Sequence, residues 1–416
     1  MHSADVESER NDKYSLVPRF SNQGYTDEDI KLRREWLEDC TNAHFDHVGR
    51  YTIESASMRG NIENAIGTVQ IPLGVAGPLL VEGEFARGTF YVPLATTEGA
   101  LVRSYERGMM AITRSGGAVV RVSGEGNRAC PIFTLTNIET AHRFCATLKD
   151  HFQSIKAIAE STTKRGKLID LQVRQLGRDA TVDFQYTTAD AHGMNMISQA
   201  TDAACQWIAE QYDVQNYYVL TGGSSEKRAS SSLFRSGKGK YVTAGLCIPD
   251  RIVNSYLKTS PQAIFQMWQR TLLAQLQAGV LGFNGHFANG LAAIFVACGQ
   301  DIANITNCAV GITSFEITNR GDLYASVTLP SLTVGTVGGG TSLGTSRECL
   351  NMLGCFGEGK SQKFAEIIGA TILAGELSFG AALASGGFVD AHQKYGRNKP
   401  IPISEPSSKA FIDSST

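Results

Sequence analysis

The sequence predicts an α+β protein in which a small strand–helix unit interrupts a larger body containing one long helix. Three observations carry this. Residues 130–219 alternate short β-rich runs with helical periodicity in the order β-α-β-β-α-β, the split βαβ or ferredoxin-like arrangement. Ala365–Val389 is a run of helical length, rich in Ala, Gly and Ser, which permits close helix packing. Glycine occurs 43 times in 416 residues, so many places need tight turns or close backbone approach, as in a ligand-binding enzyme.

The elements follow in order. Residues 1–25 are polar and are expected to fray. From Asp27, DEDIKLRREWLEDC spaces Ile30, Leu32, Trp36 and Leu37 as a helix. Residues 63–129 alternate apolar runs with Gly and Pro, which predicts strands and turns joined to one helix. Within 130–219, ACPIFTLTN reads as a strand and Ile138–Thr162 as one charged amphipathic helix. Residues 168–188 read as a hairpin turning at Gly177-Arg178, Asn195–Tyr212 as a helix, and NYYVLTG as the last strand. A basic Gly/Ser loop follows Ser224, then the strand YVTAGLCIP, and a helix from Asp250 running past Gln277. Residues 325–345 read as a strand leading into a Gly-rich turn, and the tail from Gln393, with three prolines, is expected to be mobile.

Composition excludes several classes. Lys+Arg 38 against Asp+Glu 40 gives a net charge of −2, which argues against a polyanion-binding protein. The nine cysteines are scattered, with no Cys-x-x-Cys pair and no zinc-like spacing, so they read as reduced, buried side chains, and no structural metal is expected. The N-terminus is too charged for a secretory signal. Thr271–Gln300 carries no Asp, Glu, Lys or Arg, but its Gln275, Gln277, Asn284, His286 and Asn289 would be costly in hydrocarbon, so it reads as buried interior. A soluble, cytoplasmic protein is expected.

No G-x-G-x-x-G, P-loop or G-x-S-x-G is present, and GTVGGGTSLG (335–344) lacks the dinucleotide spacing. Three charged residues stand out in otherwise uncharged surroundings: Glu98 in YVPLATTEGALV, Asp301 at the end of VACGQD, and Lys227 in GGSSEKRASSS. A carboxylate in an apolar setting can hold a proton near neutral pH, and a lysine can face a developing oxyanion. On the residues alone, each carboxylate reads first as a satisfied core or capping group, with catalysis the lesser alternative. His392 stands where the last helix gives way to the tail; His192 and His286 read as hydrogen-bonding core residues.

Six segments resemble the signatures of the 3-hydroxy-3-methylglutaryl-coenzyme A (HMG-CoA) reductases. They are ENAIGTVQIPLGVAGPLL (63–80), VPLATTEGALV (92–102), DAHGMNMIS (190–198), ACGQD (297–301), GTVGGGT (335–341) and AGELSFGAALASG (374–386). Their order and spacing fit over about residues 28–397, and GMNM at 193–196 resembles the biosynthetic, eukaryotic-type branch. The resemblance implies NADPH-dependent reduction of HMG-CoA to mevalonate through a hemithioacetal and mevaldehyde. It gives Lys227 the oxyanion, held by Asn289 and Asp301, Glu98 the proton for mevaldehyde, and His392 the proton for the coenzyme A thiolate. Asp190, Met194, Asn195 and Met196 are placed against the cofactor, with Thr336, Gly338, Gly339 and Gly340 nearby and Thr163, Lys164 and Arg165 at a 2′-phosphate. That set of two cations and a hydroxyl suits a phosphate, which favours NADP over NAD. Arg128, Arg228, Arg270 and Glu226 are directed to the substrate, and Ser104 and Arg107 to coenzyme A.

The chain departs from the family at Glu226-Lys227-Arg228-Ala229, usually Asp-Lys-Lys-Pro; at Arg270, usually lysine; at His192, usually Met; and at Asn398, where animal and plant enzymes carry a regulatory serine. These departures keep open a same-fold reductase acting on another 3-hydroxyacyl-CoA, or a non-catalytic CoA- or NADP-binding paralogue. A cysteine acyltransferase finds no cysteine with an evident base partner. The resemblance also implies a helical segment (1–62), a large helix-centred CoA and substrate domain (63–129 and 220–392), an inserted NADP domain (130–219) and a tail (393–416). Active sites shared between subunits imply a homodimer or a pair of dimers.

Overall fold

The computed structural model describes residues 16–21 and 24–386. The expectations for His392, Asn398, residues 1–15, the last residues of the 365–389 run and the tail lie outside the described residues.

The first helix, α1 (Asp27–Thr41), starts on a capping box. The Thr26 hydroxyl accepts from Asp29 N at 3.1 Å, and the Asp29 carboxylate accepts from Thr26 N at 3.2 Å. Its Ile30 forms a small core with Met58 and Ala65. Next comes an antiparallel hairpin, β1 (Leu73–Glu82) and β2 (Arg87–Ala95), followed by α2 (Leu101–Arg114) and the long strand β3 (Ala118–Ala129).

Residues 130–219 build β4 (Ile132–Leu135), α3 (Ile138–Thr147), α4 (Phe152–Ser161), β5 (Lys167–Leu176), β6 (Asp179–Thr187), α5 (Met194–Gln211) and β7 (Val214–Tyr218). The pairing order β7-β4-β6-β5 is the antiparallel arrangement expected of a split βαβ unit. One face of the sheet and the three helices enclose Phe133, Phe144, Ile155, Leu171, Phe184, Ile197 and Ile208, a core separate from that of the large body. Entry and exit are stitched together: the Thr221 hydroxyl donates to the Cys130 carbonyl at 2.6 Å.

The chain then forms β8 (Gly239–Ile248), α6 (Pro261–Ala278), α7 (Phe287–Ala297), β9 (Ile312–Ile317), β10 (Leu323–Leu332), α8 (Gly344–Met352) and α9 (Ser361–Ala384). β3 joins the two parts. Its residues Val119 to Gly126 pair with β8, which continues to β10 and β9, and its last three residues pair with β6. Helix α9 crosses the large sheet and packs against α2, α6 and α7 as well. Phe364, Ile367, Ile368, Leu373, Leu377 and Ala381 are all buried, so the helix is apolar all round because protein surrounds it all round. A methyl group on Gly108 of α2 would strike the Ala374 backbone, which is why the two helices can touch there. Among the described residues α9 is the one helix long and apolar enough to cross a membrane, and it is the buried centre of the fold.

Three elements differ from the sequence reading. The helix expected over 138–162 is two helices, because the chain tightens to a 3-10 turn over Leu148–His151 and so buries both Leu148 and Ile155. The helix expected from Asp250 past Gln277 is broken: Lys258 turns left-handed, and α6 starts afresh with Ser260 accepting from Ala263 N and Pro261 in the first turn. The uncharged stretch 271–300 is interior only over α7. The end of α6 leaves Leu273 at 59% and Leu276 at 55% exposure, because nothing in the described chain covers that face. Strand β9 and helix α8 had no place in the sequence reading.

Candidate active site

Lys227 sits in a tight loop between β7 and β8. Both it (φ 53°) and Ser225 (φ 60°) are left-handed, a conformation that costs a non-glycine residue about 1–3 kcal/mol and persists only where the surroundings impose it. The loop is held by Ser225 N on the Gly222 carbonyl at 3.0 Å, Arg228 N on the Ser225 carbonyl at 3.2 Å, and a Ser225–Ser232 hydroxyl contact at 3.0 Å. Lys227 Nζ lies 2.8 Å from Asp301 Oδ2, with both side chains partly exposed. The other Asp301 oxygen accepts from Ala303 N at 3.1 Å, so the capping and ion-pairing readings of this carboxylate are both true.

Asp301 follows α7, and the first turn of the same helix carries Asn289. Asn289 Nδ2 donates to Glu98 Oε2 at 2.8 Å, so its amide meets the carboxylate and not Lys227. Glu98 stands on the exposed turn between β2 and α2, just before left-handed Ala100; the apolar setting expected around it is not built from the described residues. Beneath it, Tyr105 Oη lies 3.3 Å from His286 Nδ1, and burial first, then the Glu376 and Glu98 carboxylates, push the Tyr105 hydroxyl's pKa well up. Glu376 of α9, itself buried, accepts from Gly285 N at 2.7 Å, His286 N at 2.8 Å and the Thr313 hydroxyl at 2.7 Å. Three donors make that buried charge tolerable, and they fix the turn from which α7 and Asn289 start.

The three segments expected at the cofactor converge. Met196 lies against Gly166 at the end of the Thr163–Arg165 turn, where the Thr163 hydroxyl accepts from Gly166 N at 3.0 Å. Thr336 N donates to the Asp190 carbonyl at 2.8 Å, which ties the Gly-rich turn to the loop before α5. A Cβ at Gly299 (φ 64°) would run into the Gly340 carbonyl, and Gly335 N donates to Gln300 Oε1 at 2.9 Å. The Gly-rich turn therefore lies directly against the segment that carries Asp301. Lys164 and Asn195 are exposed, and Gly338 and Gly339 face open space. Arg165 is paired with Glu358 at 2.7 Å. Met194 opens α5 without a side-chain cap, which leaves amide donors at its start. Asp190 is committed elsewhere: its oxygens accept from Gly359, Lys360 and Ser361 N at 2.7–3.1 Å, where α9 begins. Burial alone would raise this carboxyl, but those bonds hold it below its ordinary range.

The residues directed at the substrate divide. Arg128 is buried, with Nη1 3.1 Å from Asp183 Oδ2, and together with Lys238, Glu125, Arg235 and Tyr241 it lines a cavity of about 310 Å³. Arg228 is exposed and donates to the Glu226 carbonyl at 3.0 Å. Ser104 and Arg107 both bond Ser378 of α9, with hydroxyls 2.9 Å apart and Arg107 Nε at 3.0 Å. Arg270 is exposed on α6 and joins none of these contacts among the described residues. Glu226 points inward, 2.9 Å from Lys238 Nζ and 3.5 Å from His192 Nε2. Burial would raise its carboxyl, but His192 and Lys238 hold it at about 2.

Sequence reasoning missed Glu366, Glu376, Asn127, Lys238 and Lys240. Glu366 and Glu376 interrupt an apolar helix just as Glu98 and Asp301 interrupt theirs, so the same signal could have found them. Lys238 and Lys240 lie in a Gly-Lys-Gly-Lys run that reads as a solvated loop, yet both are buried. No group of three or more potential metal ligands occurs among the described residues.

Residues 29–397 match the family model described as hydroxymethylglutaryl-coenzyme A reductase. The chain is 44% identical over 392 residues to the 3-hydroxy-3-methylglutaryl-coenzyme A reductase of Methanocaldococcus jannaschii, covering 92% of this chain and 96% of that one. It is 41% identical over 374 residues to the reductase of Methanothermobacter thermautotrophicus, covering 89% and 94%. Its fold is similar to the class II reductase of Streptococcus pneumoniae solved with NADPH in open conformations, with TM-score 0.63 and 19% identity over 88% of this chain and all of that one. That neighbour is a class II enzyme, so the eukaryotic-type branch expected from 193–196 gains no support from the fold. With both the family model and these relatives matched over nearly its whole length, the chain belongs to the hydroxymethylglutaryl-coenzyme A reductase family.

Proposed function

We propose that this chain reduces (S)-HMG-CoA to mevalonate and free coenzyme A, at the expense of two NADPH. The observation that carries the proposal is the Lys227–Asp301 pair at 2.8 Å, on a strained loop beside the Gly-rich turn. An exposed ion pair adds little stability, so strain spent on placing it points to chemistry.

The chain's donor set suits a dinucleotide phosphate: exposed Lys164 beside Arg165, the Thr163 hydroxyl, and the free amides opening α5, with Met194, Asn195 and Met196 beside them. Asp190 supports that site from below, through the start of α9, and Thr336 with Gly338, Gly339 and Gly340 forms its other side. When bound, the nicotinamide supplies hydride, once to the thioester carbon and once to the aldehyde carbon. Lys227 Nζ stabilises the oxyanion of the hemithioacetal, with Asp301 fixing its position. As the carbon–sulfur bond breaks, His392 protonates the leaving thiolate. Glu98, oriented by Asn289, donates the proton that turns the mevaldehyde oxygen into the alcohol. Arg128, Arg228 and Arg270 supply positive charge for the substrate carboxylate, and Ser104 and Arg107 line the coenzyme A side.

The finer assignments belong to the same proposal. The large domain (63–129 and 220–392) takes the acyl-CoA and the 130–219 insertion the NADP. The enzyme works in the biosynthetic direction, on the strength of GMNM at 193–196. It acts as a soluble, cytoplasmic homo-oligomer. In support of the last, Val69, Ile71, Leu73 and Val75 form an exposed apolar row, and both proposed catalytic pairs are open to water in the single chain.

The test is NADPH consumption with HMG-CoA, repeated with NADH, with the product identified. Two NADPH per acyl-CoA and mevalonate as product establish the reading. A folded protein that binds NADPH without turnover sinks it in favour of another 3-hydroxyacyl-CoA, which a panel of acyl-CoAs then identifies.

A further inference from the structure

We propose that Glu226 is a positioning residue: it closes a buried polar ring that anchors the Lys227 loop and so aims Lys227 at Asp301. This rests on the reductase reading above. The ring draws on four separate segments. Asn127 of β3 donates from Nδ2 to the His192 carbonyl at 2.8 Å, and its Oδ1 accepts from Lys238 Nζ at 2.5 Å and from Arg128 N at 2.8 Å. Lys238 Nζ also donates to the Arg128 carbonyl at 3.2 Å and meets Glu226 Oε2 at 2.9 Å. Glu226 Oε1 faces His192 Nε2 at 3.5 Å, which returns the ring to the loop before α5.

The Lys238 side chain is wholly buried, and that of Glu226 is 16% exposed. Were Glu226 to swing outward, it would strand an uncompensated ammonium in the interior, which is strongly disfavoured. The carboxylate is therefore held inward. Its own backbone lies between two left-handed residues, Ser225 and Lys227, so little freedom remains between the anchored Glu226 and the residue after it. A short tether of this kind passes position on to its neighbour. Both carboxylate oxygens are turned to the ring: one meets Lys238 and the other faces His192. The side chain's length is part of the fit, since an aspartate here would end about 1.5 Å short of Lys238.

The experiment compares Glu226→Gln, Glu226→Asp and the double variant Glu226→Gln with Lys238→Met, using HMG-CoA and free mevaldehyde as substrates. A displacement of about 1 Å in a catalytic group can lower turnover about a hundredfold. We expect Glu226→Gln to lower kcat on both substrates on the order of that factor, with KM for HMG-CoA nearly unchanged and the aspartate variant intermediate. The double variant, which removes both buried charges and so folds even if the single one does not, remains slow. A raised KM with normal kcat would instead make Glu226 a substrate contact and overturn the proposal. So would a double variant with wild-type kcat, because the defect would then be only a buried charge. Wild-type protein that fails to turn over HMG-CoA defeats the functional reading; wild-type turnover with a normal kcat in Glu226→Gln defeats the positioning role alone.

Discussion

Asn289 and Glu98 meet at 2.8 Å although they are far apart in the chain, and the contact is made possible by a third residue that touches neither. Glu376 of α9 binds the backbone of Gly285 and His286, which fixes where α7 starts and hence where Asn289 points. The proposed proton donor is thus oriented from the centre of the fold.

The Lys227–Asp301 pair gives the first prediction. Lys227→Ala should abolish reduction of both HMG-CoA and mevaldehyde, since both steps develop charge on the same oxygen. Because the pair is partly exposed, thermal unfolding should shift by no more than about 1 kcal/mol. Retained turnover on either substrate would remove Lys227 from that step.

His392→Gln should separate the two reductions. Loss of the thiolate's acid slows turnover of HMG-CoA and leaves free mevaldehyde reduced at near the wild-type rate. Steady-state rates on the two substrates decide it: an equal fall on both means His392 is not the thiolate's acid.

Acid should expose the buried ring. The Glu226 carboxyl is lowered from 4.5 to about 2 in the fold, so its charged form stabilises the native state above about pH 4.5. That contribution is lost as pH falls through about 2. Denaturant unfolding across this window should show a steeper loss of stability for the wild type than for Glu226→Gln. Parallel slopes would mean that the carboxylate gains nothing from Lys238 and His192.

Thiol chemistry should be silent. Burial pushes Cys308 and Cys355 up to about 12 and Cys130 to about 11, whereas Cys40 and Cys247 are exposed. Iodoacetamide at neutral pH should label Cys40 and Cys247 first, by mass spectrometry, without loss of turnover. Inactivation that tracks modification of either would revive a cysteine-based reaction.

How much of this could be read from the chain alone depends on where the cause lies. The hairpin of 167–187 was legible because alternation along β6 is strict, with Ala180, Val182, Phe184 and Tyr186 all buried. The break before α6 was legible in principle, since Ser260-Pro261 is a local start signal. The break at Leu148–His151 was not, for it contains no Gly or Pro and answers only to the core that it packs on. Among the proposed site residues, Glu98 and Asp301 stand out as isolated charges, and Lys227 in a Glu-Lys-Arg triplet within a Gly/Ser turn. Lys238 could not, because its burial depends on Asn127, His192 and Glu226 arriving from distant parts of the chain.

The stitch between Cys130 and Thr221 bears on the order of events at the ribosome. Strands β4 to β7 pair with one another and, through β6, with the end of β3 just before them, whereas the rest of β3 must wait for β8, beyond the whole insertion. At elongation rates of about 5–20 residues per second that delay is on the order of ten seconds. The nascent chain thus holds a finished small unit and the β1–β2 hairpin while most of β3 still lacks its partner β8. A chaperone is most needed in that interval, and slowing synthesis there lengthens the exposure of the β3 edge without helping it to meet β8.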